Sequence, residues 1–288
     1  MRILLATDGS EAARSAAEWM RHFRFPATTE VLVVTVAVPA PATLDVAEAL
    51  QGEARDVAEV ARRALAERWP EVEARTVGGD PRTAIIQMAE EWRADLVVLG
   101  ARGLGTFAGL LLGSVSLGVA RHAACPVLIT RGSPRPVRTA VIAVDGSADA
   151  LAAARFCAWL PLDPAPRIRL LAVAEPPRFP SSAPGAIRPQ LRAASQDILR
   201  ERTAEMEEVL RATEGELGAR PTPVERAVVV GNPGEAIVQA AQTAGADLVV
   251  VGARGLGMFG RLLLGSVSEQ VLRHAQCPVL LVKKGAHS

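Results

Sequence analysis

Apolar residues gather in short, nearly unbroken runs separated by longer stretches of helical periodicity. Ile3-Leu4-Leu5-Ala6 and Leu96-Val97-Val98-Leu99 are of the first kind, the mark of strands buried on both faces of a parallel sheet. Residues 45–68 are of the second kind. There Asp45, Glu48, Glu53 and Glu59 interleave with Val46, Leu50, Val57, Val60 and Leu65 at three- and four-residue steps, which predicts an amphipathic helix. The whole pattern predicts strands at 2–7, 31–37, 72–77, 95–99 and 126–130, and helices at 10–24, 45–68, 82–92 and 114–123. A second series of strands follows at 138–144, 168–174, 224–230, 247–251 and 278–282. Two sets of five βα units imply an α/β chain of two tandem doubly wound domains, each a five-stranded parallel sheet with helices on both faces. Such sheets bind ligands at the carboxyl ends of the strands where strand order reverses, so the loops after the first and fourth strands are the candidates.

The two series are copies. Ala94 to Ile129 aligns without gaps to Ala246 to Leu281, and 27 of the 36 positions are identical, which identifies a duplicated domain. Ile3 to Ser10 answers to Ala140 to Ser147 at an offset of 137, whereas the later blocks are offset by 152. The second copy therefore carries fifteen extra residues between Pro176 and Gly231. Pro176 to Pro189, with five prolines and Ser181-Ser182, is expected to hold them as a loop, placed to act as a lid over the second site. Gly132, Ser133, Pro134 and Pro136 punctuate the break, so the expected domains are 1–131 and 138–284 with a linker at 132–137. The break from Arg131 to Val137 is seven residues, which span at most roughly 23 Å and so put the domains side by side. Pro126-Val127-Leu128-Ile129-Thr130 and Pro278-Val279-Leu280-Leu281-Val282 would otherwise be exposed apolar edges, and are expected to pair across a pseudo-two-fold axis.

Composition narrows the partners. Lys plus Arg is 32 against 31 for Asp plus Glu, a net charge of +1, which gives no electrostatic basis for a nucleic-acid or anionic-membrane partner. The opening apolar run meets Asp8 too early for a secretory segment, and no window approaches the roughly 20 apolar residues of a membrane span. Cys125, Cys157 and Cys277 are odd in number and lack metal-type spacing. A reduced, cytoplasmic setting is the expectation.

The chemistry sits after the fourth strand of each copy. Gly100-Ala101-Arg102-Gly103 is followed, nine residues on, by Gly113-Ser114-Val115-Ser116 at a helix start. Gly252-Ala253-Arg254-Gly255 and Gly265-Ser266-Val267-Ser268 repeat it. Glycines permit positive φ and close backbone approach to an anion, and a helix start adds free N–H groups and a positive dipole end. A phosphate chain suits such a place; tight strand-to-helix turns are the other reading of the same glycines.

These features resemble the universal stress protein family, whose ATP-binding members carry Gly, two residues, Gly, nine residues, then Gly-Ser or Gly-Thr. The resemblance extends over nearly the whole chain, including the Asp after the first strand and the Cys-Pro-Val-Leu final strand of each copy. It implies tandem Rossmann-like domains forming an internal pseudo-dimer, open to further homo-oligomerisation, that binds ATP, with Mg as an accompanying ion. By that resemblance Asp8 and Asp145 lie near the adenine or the metal, and Val36-Ala37 and Val173-Ala174 line the base pockets. Thr7, Gly100, Arg102, Gly103, Gly113, Ser114, Val115 and Ser116 complete the first site. Gly252, Arg254, Gly255, Gly265, Ser266, Val267 and Ser268 complete the second. The second copy departs in having Val144 where Thr7 stands and in its insertion.

Other readings of these residues stay open. Asp8-Gly9-Ser10 and Asp145-Gly146-Ser147 equally suit turns and helix caps, and Arg102 and Arg254 equally suit solvated surface charges. His122 and His274 are expected to favour helix carbonyl ends, Cys125 and Cys277 to be small core residues, and the four tryptophans to be packing or interface residues. No Walker Gly-Lys-Ser/Thr motif, nucleophile elbow or general base is evident. A nucleotide-dependent regulatory or sensing role in stress response, read by a protein partner, is preferred over two alternatives. One is slow ATP hydrolysis with Asp8 or Asp145 holding magnesium; the other is a scaffold that binds no nucleotide.

Overall fold

The computed structural model of the chain describes residues 1–23, 25–26, 28–38, 44–104, 112–162, 165–179, 185–218, 224–256 and 264–285. The first copy runs β1 (Arg2–Ala6), α1 (Glu11–Arg21), β2 (Glu30–Ala37), α2 (Leu44–Ala66), β3 (Glu73–Gly78), α3 (Pro81–Glu91), β4 (Leu96–Gly100), α4 (Ser114–His122) and β5 (Val127–Thr130). The second runs β6 (Thr139–Ala143), α5 (Ala148–Trp159), β7 (Arg167–Ala174), α6 (Arg188–Glu216), β8 (Val224–Val230), α7 (Pro233–Thr243), β9 (Leu248–Gly252), α8 (Ser266–His274) and β10 (Val279–Val282). Among the described residues, no helix is long and apolar enough to cross a membrane.

All ten strands form one sheet in the order β3-β2-β1-β4-β5-β10-β9-β6-β7-β8. Every pairing is parallel except β5 with β10, which is antiparallel. Alternation along each strand divides the core into two layers. Ile3 and Leu5 face the layer built with α1, α2, α5 and α6. Leu4 and Ala6 face the layer built with α3, α4, α7 and α8. Both layers continue across the junction, because Leu128 and Leu280 belong to the first and Val127, Ile129, Val279 and Leu281 to the second.

The junction is the pairing expected from the apolar edges, in the register Val279 to Ile129, Leu280 to Leu128 and Leu281 to Val127. Charged side chains repeat that symmetry. Arg131 leaves β5 and donates to the carbonyls of Leu272 and Ala275 at the end of α8, at 2.5 and 2.6 Å. Lys283, its equivalent after β10, donates to the carbonyls of Arg121 and Ala123 at the end of α4, at 2.9 and 2.5 Å. Each half thus caps a helix of the other, satisfying carbonyls that have no partner within their own helix. The cost is desolvation: burial pushes Arg131 down to about 10 and Lys283 down to about 8.

The insertion differs from expectation. Arg188 and Pro189 form the first turn of α6 and are not loop, after a single 3-10 turn at Gly185–Ile187. Proline suits that position because a first-turn amide has no acceptor in any case. Helix α6 has 29 residues where α2 has 23, so part of the surplus lengthens a helix. The expected lid falls partly on 180–184, outside the described residues.

Candidate functional site

Strand order within each half reverses between β1 and β4, or between β6 and β9, and the motif residues stand at those strand ends. After β1 the Asp8 carboxylate accepts the Ser10 amide at 3.0 Å through Oδ1 and the Leu104 amide at 2.9 Å through Oδ2. It thereby ties the loop after β1 to the loop after β4. Ser10 caps α1 by accepting from the Ala13 amide at 3.2 Å, and its hydroxyl donates toward the Arg102 carbonyl at 3.5 Å. Gly9, at φ +77°, makes the left-handed step between them.

The motif glycines serve close approach. A Cβ on Gly100 would lie 2.6 Å from the Ala12 carbonyl carbon and oxygen, and one on Gly103 would lie 2.3 Å from Asp8 Oδ2. None of Gly100, Gly103, Gly113, Gly252, Gly255 and Gly265 has positive φ. Conformational freedom, the first reason the sequence suggested, is therefore replaced by steric contact at Gly100, Gly103, Gly252 and Gly255. At Gly100 the contact is with α1, and at Gly103 it is with the bracing carboxylate.

Helix α4 opens onto the same place. Helices α1 and α3 are capped by the side chains of Ser10 and Asp80, whereas α4 begins after Gly113 with no side-chain cap. Its first backbone bond runs from the Leu117 amide to the Gly113 carbonyl at 3.0 Å. The amides of Ser114, Val115 and Ser116 have no intrahelical acceptor. Ser114 is exposed, while Ser116 is buried and donates its hydroxyl to the Gly100 carbonyl at 2.8 Å. Ser116 thus latches α4 to the end of β4.

These elements enclose a cleft of about 700 Å³. All eleven residues assigned to the first site line it: Thr7, Asp8, Val36, Ala37, Gly100, Arg102, Gly103, Gly113, Ser114, Val115 and Ser116. Sequence reasoning missed the opposite wall, where Leu50, Glu53, Ala54 and Val57 of α2 and Pro81 and Ile85 of α3 face the cleft. The spacing of 50, 54 and 57 marks one helix face, but nothing in the sequence says what that face covers. The result is an apolar slot with polar groups gathered at the strand ends, the usual form of a small-molecule site.

The second copy repeats the braces. Asp145 accepts the amides of Ser147 and Leu256 at 3.0 and 3.1 Å, Ser147 donates to the Arg254 carbonyl at 3.0 Å, and Ser268 donates to Gly252 at 2.6 Å. Gly265 leaves α8 without a side-chain cap, and Ser266 and Val267 open that helix. A Cβ on Gly255 would lie 2.6 Å from Asp145 Oδ2. Val173 and Ala174 end β7 as Val36 and Ala37 end β2. The wall differs, because Arg202 and Met206 of α6 take the repeat positions of Leu50 and Ala54. Arg254 differs as well: its guanidinium meets Asp149 at 2.9 and 3.2 Å. Ala12 holds the equivalent position in the first copy.

Among the described residues no group of three or more His, Cys, Asp or Glu is placed to hold a metal. His122 Nδ1 lies 2.9 Å from the Gly118 carbonyl at the end of α4. Burial pushes the thiols of Cys125 and Cys277 up to about 11, which suits packing and opposes nucleophilic use.

The model of the universal stress protein family matches residues 1–131 and again 136–283. The chain belongs to the universal stress protein family. A universal stress protein of Mycobacterium tuberculosis is 31% identical over 305 residues, covering 98% of this chain and 97% of its own. A second from that organism is 32% identical over 223 residues, covering 75% and 69% respectively. The crystal structure of a universal stress protein from Archaeoglobus fulgidus superposes with a TM-score of 0.67 at 25% identity, covering 99% of this chain and 96% of that one. The likeness to the Archaeoglobus fulgidus protein thus extends over nearly the whole of both chains.

Proposed function

We propose that the first cleft binds an adenine nucleotide, ATP in the first instance, and that occupancy itself is the signal this universal stress protein provides. The observation that carries the reading is the convergence of all eleven first-site residues on one 700 Å³ cleft whose polar end is the uncapped start of α4. In this reading the phosphates lie against the amides of Ser114, Val115 and Ser116, the Ser114 hydroxyl and Arg102. The base lies among Val36, Ala37, Leu50 and Val57. Asp8 holds the two loops together by accepting two amides. A magnesium ion arriving with ATP would be held mostly by phosphate oxygens and water. The units that carry the sites are residues 1–131 and 138–284, joined by 132–137.

Binding without turnover fits the residues at hand. Among the described residues no lysine lines the first cleft, and Lys283 Nζ donates instead to the carbonyls of Arg121 and Ala123. The Asp8 carboxylate is engaged by two amides, and the cleft lacks the lysine that phosphoryl-transfer sites place on the phosphates. Nucleotide would then stabilise one state of the chain, which a partner reads through its differential affinity. Calorimetric titration with ATP, AMP and GTP tests the reading. Binding of ATP that is lost in Gly113→Val is expected. Failure of every nucleotide to bind would leave only a scaffold, and phosphate release beyond the bound equivalent would establish an ATPase.

A further inference from the structure

We infer that the two sites are unequal, and that Asp149 is the residue that makes them so by holding Arg254 away from any phosphate. The inference rests on the nucleotide reading of the first cleft and concerns which copy of the site can act on it.

The two arginines occupy the same place in the repeated motif but have different surroundings. Arg102 lines the cleft, and among the described residues no ion pair or hydrogen bond holds its guanidinium, the Ser10 hydroxyl reaching only its carbonyl. Arg254 Nε lies 2.9 Å from Asp149 Oδ2 and its second guanidinium nitrogen 3.2 Å from Oδ1. This is the two-pronged geometry that guanidinium and carboxylate favour. Asp149 is only 4% exposed, and its Oδ1 also accepts the Lys284 amide at 2.9 Å. The carboxylate is therefore fixed from two sides, by the loop after β9 and by Lys284, the second residue after β10.

The cause is a single difference between the copies. Helix α1 meets the end of β4 at Ala12, and α5 meets the end of β9 at Asp149 and Ala150, where a Cβ on Gly252 would be 2.6 Å from the Asp149 carbonyl carbon and 2.5 Å from the Ala150 nitrogen. An alanine there leaves the arginine unclaimed; an aspartate claims it. A phosphate entering the second site must take Arg254 from a buried carboxylate and leave that carboxylate without its cation, beside a newly arrived negative charge. Arg254 is itself 43% exposed at its side chain, so water softens the penalty. The expected handicap is about tenfold in affinity or more.

The test is calorimetric titration of the intact chain with ATP, in the parent and in three variants. The parent is expected to bind one equivalent tightly, with the second at least about tenfold weaker. Asp149→Ala, which restores the first-copy residue, is expected to tighten the second equivalent toward the first. Asp149→Asn keeps an acceptor for the Lys284 amide while removing the charge, and should act in the same direction where the alanine variant is poorly folded. Ala12→Asp should weaken the tight equivalent. Two equal equivalents in the parent, unmoved by either Asp149 variant, would overturn the inference while leaving the nucleotide reading intact. Absence of all ATP binding in the parent would remove both.

Discussion

Leu128 of β5 lies directly across from Leu280 of β10, at the same position of the repeat, in the one antiparallel pairing of a ten-stranded sheet. Both are buried, and both sit in the apolar layer that spans the two halves. Leu128→Ala is expected to lower stability by about 2–5 kcal/mol. Hydrogen exchange should show β1 and β6 losing protection together. Loss confined to the first half would show that the halves unfold independently.

The first two motif glycines should separate folding from binding. In Gly100→Ala the new methyl meets the Ala12 backbone, which cannot turn aside, so stability should fall by about 1–3 kcal/mol. In Gly103→Ala the obstacle is the end of the Asp8 side chain, which can rotate at the expense of its bond to the Leu104 amide. The melting temperature should move little and ATP affinity should fall more than about tenfold. Equal thermal shifts in the two variants would contradict this division.

Lys283 gives the junction a pH dependence. Its folded value of about 8 lies below the ordinary 10.5 because of burial. Between those values the unfolded chain holds a proton that the folded chain lacks, so the contribution to stability grows as pH rises through this window. It is lost as pH falls through about 8. Urea midpoints at pH 7 and pH 10 should therefore show the parent gaining on Lys283→Met. A parallel response of the two chains would place the titration elsewhere.

The thiols should be slow. With Cys125 and Cys277 pushed up to about 11 from 9.0, the thiolate fraction at pH 8 is about a hundredfold below that of an ordinary cysteine. Alkylation followed by mass spectrometry should show native rates still climbing about tenfold per pH unit between 9 and 10. A plateau near pH 9 would mean that the sites open readily to solvent.

Much of this was legible in the sequence, for identifiable reasons. Buried parallel strands read as unbroken apolar runs, so β4 and β9 were marked to within a residue or so. Duplication exposed the motif and the edge pairing. What stayed hidden depends on distant segments meeting. The α2 wall of Leu50, Ala54 and Val57 exists only because α2 crosses the carboxyl end of β2. The reason for Gly103 depends on Asp8, which is 95 positions away in the chain. The proline-rich stretch misled at Pro189, since proline both breaks helices and begins them. The contrast between Ala12 and Asp149 was present in the 137-residue offset, yet it acquires meaning only where the first turn of a helix touches a strand end.

Covalent joining of the two halves has a consequence of its own. In an assembly of identical subunits any substitution is made everywhere at once, so a residue that silences one cleft silences all of them. Because β5 and β10 here belong to one chain, an aspartate can enter one half while the alanine opposite is kept. With the two clefts unequal as inferred above, the fusion would let a single molecule keep one responsive pocket beside a quiet twin that still supplies half of the shared sheet.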